Sequence, residues 1–222
     1  MMFDWSAYSS KKESSETKRN KEFVERTIHE AHNSFMQFMP KEFGFQTIPG
    51  SIEYVCLTKS RGAAYYRAGE RNKEGHYCNE NRIEIGLDRD CREIGKLIQE
   101  VRYDVAHEGG HHLHFKINPA IIPNQVWRVD CSLIFPLDNW YVRELVAEFA
   151  AIRWFDIADL ELPRKFLDSF HGRVEPVICL YKKDKNLLKR LANMDELNIP
   201  DEFKRTIDEM SEADLKHSLE TE

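Results

Sequence analysis

Apolar positions recur with a helical period in three stretches of the chain and alternate with polar ones between the first two. From Asn20 to Met39, the residues Phe23, Val24, Ile28, Ala31, Phe35, Phe38 and Met39 form one broad stripe, and Pro40 predicts the end of that helix. From Arg92 to Phe115 there is no proline, and Ile94, Leu97, Ile98, Val101 and Val105 line one face of a second predicted helix. The third, Trp140–Phe155, reads WYVRELVAEFAAIRWF and is apolar on most sides. Between the first two lie SIEYVCL, GAAYYRA and NRIEIGL, short runs with alternation or with β-branched and aromatic content. Gly62 and the polar stretch 69–75 supply turns. The last run predicts a half-buried strand with Ile83, Ile85 and Leu87 facing in, placed just before the second helix.

The remaining segments set the organisation. Residues 6–20 are rich in Ser, Lys and Glu and read as a solvated tail. Residues 116–139 carry Pro119, Pro123 and Pro136 with little periodicity, a long connection of the kind that builds a cleft wall. From Leu162 onward the chain is helical and charged, with weak stripes at Leu187, Leu188 and Leu191 and at Phe203, Ile207 and Met210. The expected division is a mobile tail over 1–19, one domain over 20–180 and a helical appendage over 181–222. The expected fold class is α+β, with a small, mostly antiparallel sheet.

Composition narrows the partners. A chain of 222 residues with 41% hydrophobic content can bury a core of its own. Its net charge of −6 gives no reason to expect nucleic acid. Cys56, Cys78, Cys91, Cys131 and Cys179 are scattered with no CxxC pair, which points to reduced thiols rather than to a disulfide framework or a cysteine metal site. The first residues lack the hydrophobic core of a secretion signal, and no apolar run reaches membrane-spanning length. The expectation is a soluble cytoplasmic protein without a membrane partner; oligomeric state is open.

The chemistry sits in VRYDVAHEGGHHLHF, residues 101–115. It contains HExxH: His107, Glu108 and His111. On a helix the two histidines stand one turn apart on one face, where both reach one Zn²⁺, and the glutamate serves as general base. HExxH fixes three positions, and a chance match in a chain of this composition has a likelihood of about a few per cent. The third predicted helix adds a second signal. Glu144 and Glu148 lie one turn apart on a face otherwise lined by Trp140, Tyr141, Leu145, Ala147, Ala151 and Ile152. Acids on such a face need a cation. Glu144 completes a His, His, Glu ligand set with one position left for water. Glu148 is placed to accept a hydrogen bond from a ligand histidine and fix its ring, and Asp104, one turn before Glu108, is another group suited to support from behind the ligands. Each glycine inside HEGGH weakens the helix by about 0.5–1 kcal/mol relative to alanine, and together they permit close approach of another backbone. His29 and His32, spaced i and i+3, read as ordinary helix residues, and His76 reads as a loop histidine.

These two segments together resemble the gluzincin metallopeptidases. HEGGH followed by Glu144–Leu145–Val146–Ala147–Glu148–Phe149–Ala150–Ala151 looks like the HExxH plus ExxA(D/N) pattern of the HtpX-type proteases and the ExxAN-x-FAA pattern of the ImmA/IrrE family. The resemblance covers about residues 51–155. It implies a zincin-like order: an N-terminal helix, a small sheet, the HExxH helix, then the glutamate helix. It implies His107, His111 and Glu144 as zinc ligands, Glu108 as general base and Glu148 as the residue behind a ligand, although Asp or Asn is usual at that last position. Phe149 stands one position earlier than in the ImmA/IrrE pattern. A metzincin would require a third histidine where Ile117 stands. His112 and His114 are too close in the helix to join His107 and His111 on one tetrahedral metal.

A peptidase also needs a group to stabilise the oxyanion. The candidates are Tyr141, one turn before Glu144, and His171 and Arg173 in SFHGRVEP. In zinc peptidases a strand before the motif helix commonly forms the cleft rim and pairs with extended substrate, and Arg82–Leu87 suits that place; an ordinary strand covering a helix fits these residues equally well. The expected function is zinc-dependent hydrolysis of a peptide bond in a protein or peptide substrate, and the resemblance to the ImmA/IrrE family implies cleavage of a specific regulatory protein rather than broad digestion. Two alternatives stay open: a non-catalytic regulatory or interaction protein retaining a zincin fold, and a metal-dependent hydrolase of a non-peptide amide.

Overall fold

Helices dominate because the three periodic stretches, and most of the chain after them, bury apolar faces against one another. The computed structural model describes residues 3–4, 15–47, 49, 53–57, 64–67, 82–86, 94–118, 137–163, 172–194 and 198–220. Its helices are α1 (Ser15–Phe43), α2 (Ile94–Ile117), α3 (Leu137–Ile157), α4 (Val174–Lys183), α5 (Leu188–Ala192) and α6 (Asp201–Glu220). The strands β1 (Phe3–Asp4), β2 (Glu53–Leu57), β3 (Ala64–Arg67) and β4 (Arg82–Gly86) are short.

The fold is therefore mostly helical, and the expected α+β fold with a mostly antiparallel sheet is overturned. The core is built from helix faces; the buried apolar side chains that strands add, among the described residues, are Ile83 and Ile85. The strands run in the order β1-β2-β4-β3, and two of the three pairings are parallel: β1 with β2 and β2 with β4. Only β3 pairs antiparallel, with β4. The alternation in 82–87 correctly implied an inward face but carried no information on strand direction. Because β4 is paired on both sides, it has no free edge for the substrate pairing considered for it. Leu87 and the prolines of the 116–139 connection lie outside the described residues.

Helix ends differ from expectation for identifiable reasons. Pro40 lies inside α1, which continues to Phe43. Pro40 has no N–H to give to the Met36 carbonyl, but the chain beyond it still closes the helix. Gly44, at φ +96°, donates to Lys41 O, and Phe45 donates to Pro40 O, a Schellman closure. Asp159, at φ +53°, closes α3 in the same way: its N–H bonds Asp156 O, and that of Leu160 bonds Phe155 O. At its start, α1 reaches back to Ser15, five residues before the expected start at Asn20.

α2 packs against α1 on one side and α3 on another. Phe35 of α1 meets Trp154 of α3 edge to face at 6.2 Å, and the Trp154 indole N–H donates to Ser34 Oγ at 3.2 Å. α4, α5 and α6 all pack on α3. Their Val177, Leu188, Leu191, Phe203, Ile207 and Met210 belong to the same buried cluster as the faces of α1, α2 and α3. Each large side chain fully buried there contributes about 1.5–3 kcal/mol. No helix among the described residues is long and apolar enough to cross a membrane.

Candidate metal centre

Two glycines bring α2 into place. A Cβ on Gly110 would stand 3.0 Å from the Ala147 Cα and 3.1 Å from the Ala150 Cβ, both on α3. A Cβ on Gly109 would stand 2.7 Å from Cε1 of Phe35 on α1. The glycines that weaken the isolated helix are thus the surface that lets it approach both neighbours.

At that approach the helix faces bearing the predicted ligands meet. The Nε2 of His107 lies 3.4 Å from Oε2 of Glu144, and the Nε2 of His111 lies 3.4 Å from Oε1 of the same carboxylate. One ligand atom from each of the three residues falls within 4.8 Å of the others, a group that could hold a metal ion. The imidazoles meet edge to face at 4.8 Å. Both histidine side chains are less than a fifth exposed, and the Glu144 carboxylate is nearly closed off.

Beside these three residues stands Glu148, fully buried. Its Oε2 faces the Nδ1 of His107 at 3.4 Å and accepts a hydrogen bond from the Tyr103 hydroxyl. Tyr103 stacks on His107 with ring centroids 6.2 Å apart. Arg173, the residue just before α4, reaches both acids: its Nη2 lies 3.4 Å from Glu144 Oε2 and 3.2 Å from Glu148 Oε1.

The charges are strongly coupled. Burial pushes the His107 imidazole down, but the Glu148 carboxylate and the bonds to Glu144 and Glu148 outweigh it and raise its pKa well above the usual range. Burial pushes the Glu144 carboxyl up, but the charge on His111 and the bonds to both histidines hold it well below the usual range. Glu148 is held down against burial by His107, Arg173 and Tyr103. Burial and the Glu148 charge push the Tyr103 phenol well up, so it stays a donor. Two buried carboxylates one turn apart are tolerated because cations and donors surround them.

The predicted residues sort as follows. His107, His111 and Glu144 converge, and Glu148 takes the position behind His107. Glu108 is buried on α2, next in sequence to His107. Asp104 is buried one turn before Glu108, and its charge acts on the Tyr103 phenol. Tyr141 is buried on α3, one turn before Glu144. His171 lies outside the described residues. Arg173, considered for the oxyanion, is instead engaged with the two acids of α3. His112 and His114 are buried on α2 and are not part of the group that could hold the ion. Tyr103 was missed, although 103, 107 and 111 continue one i, i+4 line on the helix face.

Comparison of the chain with models of protein families, with curated proteins and with solved structures finds no match.

Two imidazole nitrogens and a carboxylate oxygen, all within 4.8 Å of one another, suit a divalent transition metal, so the residues fit such an ion. This donor set does not by itself single out zinc.

Proposed function

We propose that the chain is a zinc-dependent metallopeptidase of the small gluzincin type, resembling the ImmA/IrrE family. The observation that carries this reading is the meeting of His107 Nε2, His111 Nε2 and Glu144 across α2 and α3, with Glu108 in its place inside HExxH. His107, His111 and Glu144 would hold the ion, which when bound supplies Lewis acidity, lowering the pKa of a water and polarising the scissile carbonyl. Glu108 removes the proton from the attacking water and delivers it to the leaving amine. Glu148 and Tyr103 keep the His107 ring turned with Nε2 toward the ligand set. A general base is superfluous in a purely structural metal site, which favours an enzyme over a binding module. The substrate is a protein or peptide, cleaved at a specific site in a regulatory role, and the compartment is the cytoplasm; the exposed, unbridged Cys179 suits reducing conditions.

Elemental analysis of purified wild type beside Glu144→Ala tests the site. About one zinc per chain, lost in the variant, is the expected result, followed by cleavage of a peptide library that Glu108→Gln abolishes. Absence of zinc from the wild type, or its full retention by Glu144→Ala, would refute the ligand assignment. Zinc bound without cleavage dependent on Glu108 would refute the peptidase.

A further inference from the structure

The ligand Glu144 and the supporting Glu148 come from one helix face, and like charges at i, i+4 repel. Their separation and aim must be held by something outside α3. Tyr103 donates to Glu148. Arg173 reaches both: one nitrogen, Nη2, stands within 3.4 Å of Glu144 Oε2 and 3.2 Å of Glu148 Oε1. Those two oxygens are not equivalent to their partners. Glu144 Oε2 is the atom facing His107 Nε2, and the other Glu148 oxygen faces His107 Nδ1. Arg173 therefore ties together the two carboxylates that meet opposite nitrogens of one imidazole. Its side chain is only 13% exposed. It makes no side-chain cap for α4, whose first turn it precedes. The side chain is spent on the acids rather than on its own helix, and substituting it removes no helix cap.

We propose that Arg173 is a positioning residue of the metal centre: its guanidinium clamps Glu144 and Glu148 in the arrangement that presents His107 and Glu144 to a divalent metal. This rests on the ligand reading above and adds a residue 25 positions beyond Glu148, from the far side of the site.

The test is metal affinity, measured by competition with a chromophoric chelator on wild type, Arg173→Lys and Arg173→Gln, beside urea denaturation of the metal-free proteins and visible spectra of the cobalt(II)-loaded ones. Loss of a group supporting metal ligands weakens binding about 10–100-fold, and Arg173→Gln is expected in that range. Arg173→Lys keeps a cation on a differently shaped side chain and is expected to lose less than Arg173→Gln. The cobalt bands should shift in Arg173→Gln and return toward wild type in Arg173→Lys. In the background Glu148→Gln, Arg173→Gln should cost less than it does alone. Wild-type affinity and spectrum in Arg173→Gln would overturn the proposal, as would a drop in its unfolding midpoint with affinity unchanged. If Arg173→Gln does not fold, the affinity and spectrum of Arg173→Lys decide by the same criterion. A wild type that binds no metal would sink the ligand reading and this inference together; a wild type that binds normally beside an equally competent Arg173→Gln sinks this inference alone.

Discussion

Three glycines in α2 make one controlled experiment, because alanine at each meets different surroundings. In an isolated helix every Gly→Ala exchange gains about 0.5–1 kcal/mol. At Gly95 the new methyl finds nothing within 4 Å, so the variant should be as stable as wild type or more so, by up to about 1 kcal/mol; a position in the first turn realises only part of that. At Gly110 the methyl would sit 3.0 Å from a backbone carbon of α3 and 3.3 Å from the Ala147 carbonyl oxygen. Backbone cannot rotate aside, so α2 and α3 must part by a few tenths of an ångström. Overpacking of this kind costs about 1–3 kcal/mol, which exceeds the propensity gain. At Gly109 the clash at 2.7 Å is with the Phe35 ring, fully buried and packed on Trp154, so it too should lose stability. The two losses differ in direction. Gly110→Ala pushes the histidine helix from the glutamate helix, while Gly109→Ala pushes it from α1. Urea denaturation with EDTA present should rank Gly95→Ala at or above wild type and the other two below it. Chelator competition should then show weakened zinc binding chiefly in Gly110→Ala. A Gly110→Ala protein of wild-type stability and wild-type metal affinity would refute the argument that this glycine sets the approach of the ligand-bearing helices.

Other outcomes follow from the same geometry. Glu148→Gln, which keeps the shape but loses the charge facing His107 Nδ1, should weaken zinc binding about 10–100-fold while leaving the helix content by circular dichroism unchanged. Zinc at 100 times its dissociation constant should raise wild-type stability by about 2.7 kcal/mol, seen as a higher urea midpoint, and Glu144→Ala should show little of that increase. Burial, with the charges of His111 and Arg143, pushes the His114 imidazole down to about 3. The unfolded chain takes up that proton near the ordinary 6.5, so the contribution is whole above that pH and is lost as pH falls toward about 3, at up to about 1.4 kcal/mol per pH unit. With EDTA present, His114→Gln should therefore lose stability less steeply than wild type between neutral pH and pH 5, and parallel slopes would contradict a neutral buried His114.

The periodic stretches placed α1, α2 and α3 within a few residues, because a buried helix face leaves a mark at every turn. Ends were less legible. Pro40 suggested a stop, yet the stop is made four residues on by Gly44, whose left-handed conformation lets Phe45 and Gly44 take up carbonyls of the last turn. The strand runs were visible, but their pairing was not. Alternation in Ile83 and Ile85 reports which face is buried; it does not say that β4 joins β2 in parallel, which depends on the long path the chain takes between them. The weight given to these runs overstated the sheet, since most of the core is helix against helix.

The site was legible where it obeys helical arithmetic. His107 and His111 share a face by spacing, as do Glu144 and Glu148, and an acid pair on an apolar face already demanded a cation. The glycines between the histidines carried a structural message as well, for two of them inside a buried helix make sense only if something occupies the space of their side chains; Phe35 and Ala147 do. Tyr103 obeys the same arithmetic, one turn before His107, and could have been found by extending the line backward. Arg173 could not. Its role depends on where α4 begins relative to α3, and no spacing within a helix encodes that. A residue joined to the candidate ligands only through packing between elements leaves no periodic trace, which is why the contacts of Arg173 with Glu144 and Glu148 emerge from the structure and the candidate ligands themselves from the sequence.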